Sequence, residues 1–162
     1  SLFGSAILWL KNSGIVNQVF KTESQLPLEM YKDLSAFKLY MTDVGLFVNK
    51  ARYPLYQIDL SKQPTMISMG PLTEHYVANE LRINGYETYY WESNGIAEVD
   101  FLIQKEANII PIEVKSNIHT KSRSLNLYMK KYNPAYAIRI SEKNFGYENN
   151  IKSVPLYATF CI

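Results

Sequence analysis

From about Gly70 onward the sequence predicts a mixed α/β domain in the order helix, three strands, helix, strand. Three observations predict it. Apolar residues at helical spacing lie between Pro71 and Gly85. Two alternating segments, Glu98 to Gln104 and Ile109 to Lys115, flank a short polar turn around Glu106 to Asn108. A second helical stripe stops at Pro134 and is followed at once by the run Ala135 to Ile140.

The chain has 162 residues, which suits one domain, or one domain with a short appendage. Hydrophobic residues make up 47% and charged residues 20%, ordinary values for a globular protein with its own core. Cys161 is the only cysteine, so an internal disulfide and a zinc cluster are excluded and a cytoplasmic location is expected. The two histidines, His75 and His119, form no partner pattern with it, and Cys161 is expected to be buried as a small apolar residue. No apolar run is long enough to span a bilayer and no secretory signal opens the chain, so no membrane partner is expected. The first residues already read as mid-helix, and the chain is expected to be a piece of a longer protein.

Taken in order, Leu2, Ala6, Ile7 and Leu10 make a helix over Leu2 to Asn12, with Gly14 as its left-handed stop. Ile15 to Phe20 reads as a strand. Helix, tight turn and strand together suggest the last part of a winged-helix module. Lys21 to Asp33 reads as a connector around Pro27, and Phe37 to Val48 as a short strand running into a turn or helix. Tyr53 to Pro64, broken by Pro54 and Pro64, is irregular. A boundary near residue 68 therefore separates residues 1–68, a partial winged-helix segment with its connector, from the α/β domain of residues 69–162.

In the second part Pro71 suits the first turn of a helix, where its missing N–H costs nothing, and Val77, Ala78 and Leu81 form the apolar stripe. Glu87 to Trp91 is an aromatic-rich strand and Ser93-Asn94-Gly95 a turn. Leu125, Tyr128, Met129 and Tyr132 fall at i, i+3, i+4 and i+7. Val154 to Phe160 is expected to add an edge strand.

Side chains alternate along a strand. Ile110, Ile112 and Val114 therefore share one face, with Glu113 and Lys115 on the other. In the preceding strand Val99, Phe101 and Ile103 share one face, leaving Glu98, Asp100 and Leu102 opposite. A hairpin turning between Glu106 and Ala107 sets Asp100 directly across from Glu113, with Cβ atoms about 5 Å apart. Two carboxylates so close repel unless a positive charge lies between them, and a hard divalent cation such as Mg²⁺ or Mn²⁺ prefers such oxygens. Glu74 lies on the stripe of Val77, Ala78 and Leu81, where an unpaired carboxylate is costly to bury. Lys115 would neutralise charge or orient a water. A cation held by Asp100, Glu113 and Glu74 would activate water and stabilise a phosphoryl transition state.

Lys115, Lys121, Arg123, Lys130, Lys131 and Arg139 form a run with no intervening acid. Such a cluster is either a solvated helix face or the footprint of a phosphate-binding surface. Lys121, Arg123, Lys130 and Lys131 are the candidate nucleic-acid contacts.

Glu on a helix, Asp on the second strand and Glu-x-Lys on the third is a combination that resembles the PD-(D/E)XK nuclease superfamily. More closely, GPLTEHYVANELRINGYETYYWES, AEVDFLI and IIPIEVKS resemble the DUF4143 domain at the C-terminus of bacterial and archaeal AAA-type ATPases. WLKNSGIVNQVFK and FKLYMTDVGLF resemble the segment that leads into it. The resemblance implies a restriction-endonuclease-like core behind a partial winged helix. It assigns Asp100 and Glu113 to a metal, Glu74 to completing the site, and Lys115 to the attacking water. Val99 stands where the superfamily has proline before the aspartate. No G-x-x-x-x-G-K-[ST] occurs, so ATP is expected to bind only in an N-terminal part not included here.

Two functional readings follow. One is a metal-dependent phosphodiesterase acting on DNA or RNA. The alternative is a non-catalytic module that binds nucleic acid or protein and regulates the attached ATPase. The expected partners are nucleic acid and the N-terminal ATPase domain of the same protein; association of copies is left open. A third reading, acids retained only as a relic of the fold, has no site chemistry.

Overall fold

The computed structural model describes residues 2–54, 68–117 and 122–162. Helix α1 (Leu2–Asn12) turns at Gly14, whose φ of +74° is the left-handed conformation glycine adopts freely, into strand β1 (Val16–Thr22). A 3₁₀ segment, Leu28–Tyr31, leads into β2 (Lys32–Met41). Asp43 caps α2 (Val44–Lys50) by accepting the Leu46 N–H. The second part runs α3 (Gly70–Ile83), β3 (Thr88–Ser93), β4 (Ala97–Lys105), β5 (Asn108–Val114), α4 (Arg123–Tyr132) and β6 (Ala137–Ser141). That is the predicted order. Two further strands, β7 (Gly146–Glu148) and β8 (Ile151–Pro155), and a 3₁₀ segment, Leu156–Cys161, close the described chain.

The eight strands of the described residues share one mixed sheet in the order β2-β1-β3-β4-β5-β6-β8-β7. β1 pairs antiparallel with β2 and parallel with β3, so residues before position 68 extend the same sheet. The β5-α4-β6 crossover joins parallel neighbours, which requires a connection long enough to hold a helix.

Helices α3 and α4 cover opposite faces of the sheet. Val77, Ala78 and Leu81 of α3 pack against Phe101, Ile103, Ile110 and Ile112, as their helical spacing predicts. On the other face Tyr128 of α4 meets Tyr89, Trp91, Val99 and Leu102. Val77, Ala78, Leu81, Leu125 and Tyr128 are fully buried, at about 25 cal/mol for each Å² of apolar surface removed from water, while Met129 and Tyr132 of the α4 stripe are partly buried.

Three expectations fail here. Val99 lies on the α4 face with Leu102, not with Phe101 and Ile103. The reason is a β-bulge: Tyr89 pairs with Leu102 but Trp91 with Val99, so Tyr90 alone faces two residues, Asp100 and Phe101. The extra residue reverses the alternation for everything before it. The expected edge strand Val154 to Phe160 is also displaced. Its strand ends at Pro155 and lies inside the sheet, and the edge is β7, folded back by Asn149 and Asn150 at φ of +51° and +58°. Two consecutive positive-φ residues make the tight turn whose twist matches paired strands. Cys161, finally, is exposed, because the terminal 3₁₀ segment buries Ala158 and Thr159 instead.

Candidate metal and phosphate site

The β4–β5 ladder follows the register predicted from the turn, with Phe101 opposite Ile112 as its last pair. One step further, Asp100 and Glu113 do not complete a backbone pair. The Asp100 carboxylate instead accepts the Val114 N–H at 2.7 Å. The bulge that displaces Val99 thus also re-aims Asp100, replacing a strand hydrogen bond by one from the side chain.

Glu113 is buried on the face covered by the start of α4. Its Oε1 accepts from the Ser122 hydroxyl at 2.8 Å and lies 2.5 Å from Lys115 Nζ. Ser122 is itself the cap of α4, accepting the Leu125 N–H at 3.1 Å, so one hydroxyl ties the helix start to the carboxylate. Glu113 Oε2 is buried and has no partner among the described residues. A buried carboxylate oxygen without a partner costs about 1–3 kcal/mol or more, so its presence asks for a ligand.

Asp100 keeps some solvent access, yet its carboxyl is pushed up from 3.8 to about 7. Lost hydration is the main cause and the Glu113 charge the next; the Val114 N–H and the Lys38 ammonium oppose them. Asp100, whose ionisation the Glu113 charge disfavours, together with a Glu113 oxygen that has no partner among the described residues, has the chemistry of a cation site.

Glu74 is held on the other side of this pair. Lys38 Nζ donates to Glu74 Oε1 at 3.1 Å, and the Tyr40 hydroxyl donates to the same oxygen. Lys38 also pairs with Glu98 and sits 5.2 Å above the Tyr90 ring. Burial works to lower the Lys38 pKa, but Glu74 and Glu98 together hold it above the ordinary value. Burial and the Glu74 charge likewise raise the Tyr40 hydroxyl, which therefore stays protonated and donates. Glu74 thus lies within electrostatic reach of Asp100. Among the described residues no group of three or more His, Cys, Asp or Glu converges on one point. Two carboxylates suffice for Mg²⁺, which keeps several of its waters.

Four contributors were not singled out from the sequence as parts of this site. Lys38 and Tyr40 come from β2, which no local pattern links to α3. Ser122 carried a detectable capping signal, a serine just before the apolar stripe of α4. Arg139, noted only as the end of the basic run, pairs across β5–β6 with Glu113.

The basic run divides. Lys115 is in the site and Arg139 beside it. Arg123 and Lys130 are exposed on α4, seven residues apart and hence on one stripe. Lys131 is exposed as well, with its ammonium 4.9 Å from the Tyr132 ring centre and 5.6 Å from that of Trp91. Lys121 and His119 lie outside the described residues. No described helix is long and apolar enough to cross a membrane.

A family described as "Domain of unknown function (DUF4143)" matches residues 69–159, from the start of α3 to the terminal 3₁₀ segment. No curated protein and no solved structure matches the chain.

Proposed function

The chain belongs to the DUF4143 family, and from that premise we propose that Asp100, Glu113 and Lys115 form the metal-dependent phosphodiesterase site of a PD-(D/E)XK nuclease-like domain. One observation carries the reading. The Oε2 of Glu113, without a partner among the described residues, stands in a site whose second acid, Asp100, resists ionisation unless a cation offsets the charge.

Asp100 and Glu113 would hold Mg²⁺ or Mn²⁺, which when bound supplies an activated water and charge stabilisation at the scissile phosphate. The Val114 N–H fixes the Asp100 carboxylate, and Ser122 with Lys115 fixes Glu113, so the acids are oriented before any cation arrives. Lys115, one-third exposed, presents its ammonium beside Glu113, where it orients water or faces a phosphate oxygen. Glu74, anchored by Lys38 and Tyr40, contributes negative potential to the site through Asp100. Arg123, Lys130 and Lys131 give DNA or RNA an exposed cationic surface along α4. In this reading the domain acts beside an AAA-type ATPase, as the resemblance of its motifs implies.

Incubation of single- and double-stranded DNA and RNA with the protein and Mg²⁺ or Mn²⁺ tests it. Cleavage lost in both Asp100→Asn and Lys115→Ala is expected. No cleavage of any of the four substrates with either metal contradicts it.

A second reading is favoured by the anchoring of Glu74 Oε1 on Lys38 and Tyr40, which keeps a third acid from the pair. In it the domain binds nucleic acid or protein without cutting and regulates the attached ATPase. Nucleic-acid binding unaffected by Asp100→Asn but weakened by salt and by Lys130→Ala with Lys131→Ala would favour this reading.

A further inference from the structure

We propose that Arg139 and Lys143 form a phosphate-binding subsite, in the cleft between α4 and the β7–β8 hairpin, that seats a backbone phosphate of a nucleic-acid strand. The proposal rests on the nuclease reading for the identity of the strand, not for the existence of the subsite.

The cleft has a volume of about 320 Å³, at the lower end of small-ligand sites. Ser122 and Asn126 of α4 line one side, Glu148 and Ser153 of the hairpin another, and Arg139 and Lys143 complete it. Two cations face a single carboxylate, and that one, Glu148, is exposed.

The guanidinium of Arg139 is the anomaly. Its Nε is buried and has no hydrogen-bond partner among the described residues, and no ion pair engages its other nitrogens there. Arginine carries five N–H donors in a planar fork that fits the oxygens of a phosphate two at a time. Leaving such a group unpaired out of water is expensive, and water in the cleft can satisfy only its outer edge.

Its cross-strand neighbour explains why the partner is an outside anion. Arg139 stands opposite Glu113 in the β5–β6 register, but Glu113 Oε1 is already engaged by Ser122 and Lys115. Oε2 is the oxygen left for a cation. Oε2 and the Arg139 Nε do not bond each other, each being without a partner among the described residues, so the Arg139 charge remains for an anion one strand away. A phosphate seated there would neighbour the Asp100–Glu113 pair and fix the register of the strand across it.

The test is made on the whole chain in EDTA, so that no metal is needed. The Arg139 Nε–H resonance, assigned with Arg139→Lys, is followed by NMR during titration with inorganic phosphate and with a short single-stranded DNA oligonucleotide. Both should shift it saturably. By fluorescence anisotropy, Arg139→Gln should weaken the oligonucleotide about tenfold and Lys143→Ala several-fold, with Arg139→Lys intermediate because charge survives without the fork. A resonance that ignores both anions, or that moves only in Glu113→Gln, overturns the proposal in favour of an internal Arg139–Glu113 pair. A shift with phosphate but not with the oligonucleotide overturns the assignment to nucleic acid. Binding through Arg139 by a chain that takes up no Mn²⁺ supports the subsite while contradicting the metal reading.

Discussion

The Asp100 carboxylate accepts the Val114 N–H at 2.7 Å, one step past the last β4–β5 ladder pair. The bulge opposite Tyr90 makes this contact accessible, and the contact holds Asp100 beside Glu113. An acid kept there is strained electrostatically when both carboxylates are ionised. Its consequences can be measured.

The first is a pH dependence of stability in EDTA. Asp100 has its folded-state pKa raised to about 7, above the unfolded value. Its contribution is therefore fully present below about pH 4 and lost as pH rises through about 7. Asp100→Asn removes that loss while retaining an oxygen for the Val114 N–H. Urea denaturation should show the variant gaining on the native chain from pH 4 to 8, by at most on the order of 4 kcal/mol given the solvent access of Asp100. Equal pH profiles for the two proteins would contradict the burial and repulsion described here.

A second consequence concerns Lys38. Its charge lowers the Asp100 pKa and ties Glu74 to Glu98 across the site. Lys38→Met should push Asp100 further up, so that Mn²⁺ uptake begins at higher pH than in the native chain. The loss of the two partly exposed ion pairs should cost only about 1 kcal/mol in stability. A large stability loss with an unmoved pH midpoint would make Lys38 a structural residue alone.

Ser122 joins two roles in one hydroxyl. Ser122→Ala removes the α4 cap and one of the donors to Glu113 Oε1. A destabilisation of about 1–3 kcal/mol is expected in urea, without a change in the denaturant slope. Ser122→Thr should recover most of it, since threonine offers the same oxygen. Full recovery by Ser122→Gly would show that only backbone geometry matters at this position.

How much of this was readable beforehand depended on the range of each signal. The α3 and α4 stripes were, because Val77, Ala78, Leu81 and Leu125, Tyr128 obey a local 3.6-residue period. The hairpin register was too, since a turn between Glu106 and Ala107 fixes the pairs from Lys105–Asn108 to Phe101–Ile112, as far as the bulge. The bulge at Asp100–Phe101 was not. Nothing in Glu98-Val99-Asp100-Phe101 departs from alternation, and the extra residue is forced by pairing with Tyr90 on another strand. Lys38 and Tyr40 were hidden for a similar reason: they reach Glu74 only because β1 joins the sheet beside β3. Asn149-Asn150 was a readable turn signal, and reading it would have revealed β7 and the hairpin wall of the Arg139 cleft.

Mn²⁺ binding to the metal-stripped chain tests the central claim most directly. Isothermal titration at pH 8 should show one Mn²⁺ per chain in the native protein and none in Asp100→Asn or Glu113→Gln, with both variants folded. Glu74→Gln should bind it more weakly, since that substitution removes negative potential rather than one of the two proposed ligands. No uptake by the native chain, or uptake unchanged in both Asp100→Asn and Glu113→Gln, would contradict the two-carboxylate site.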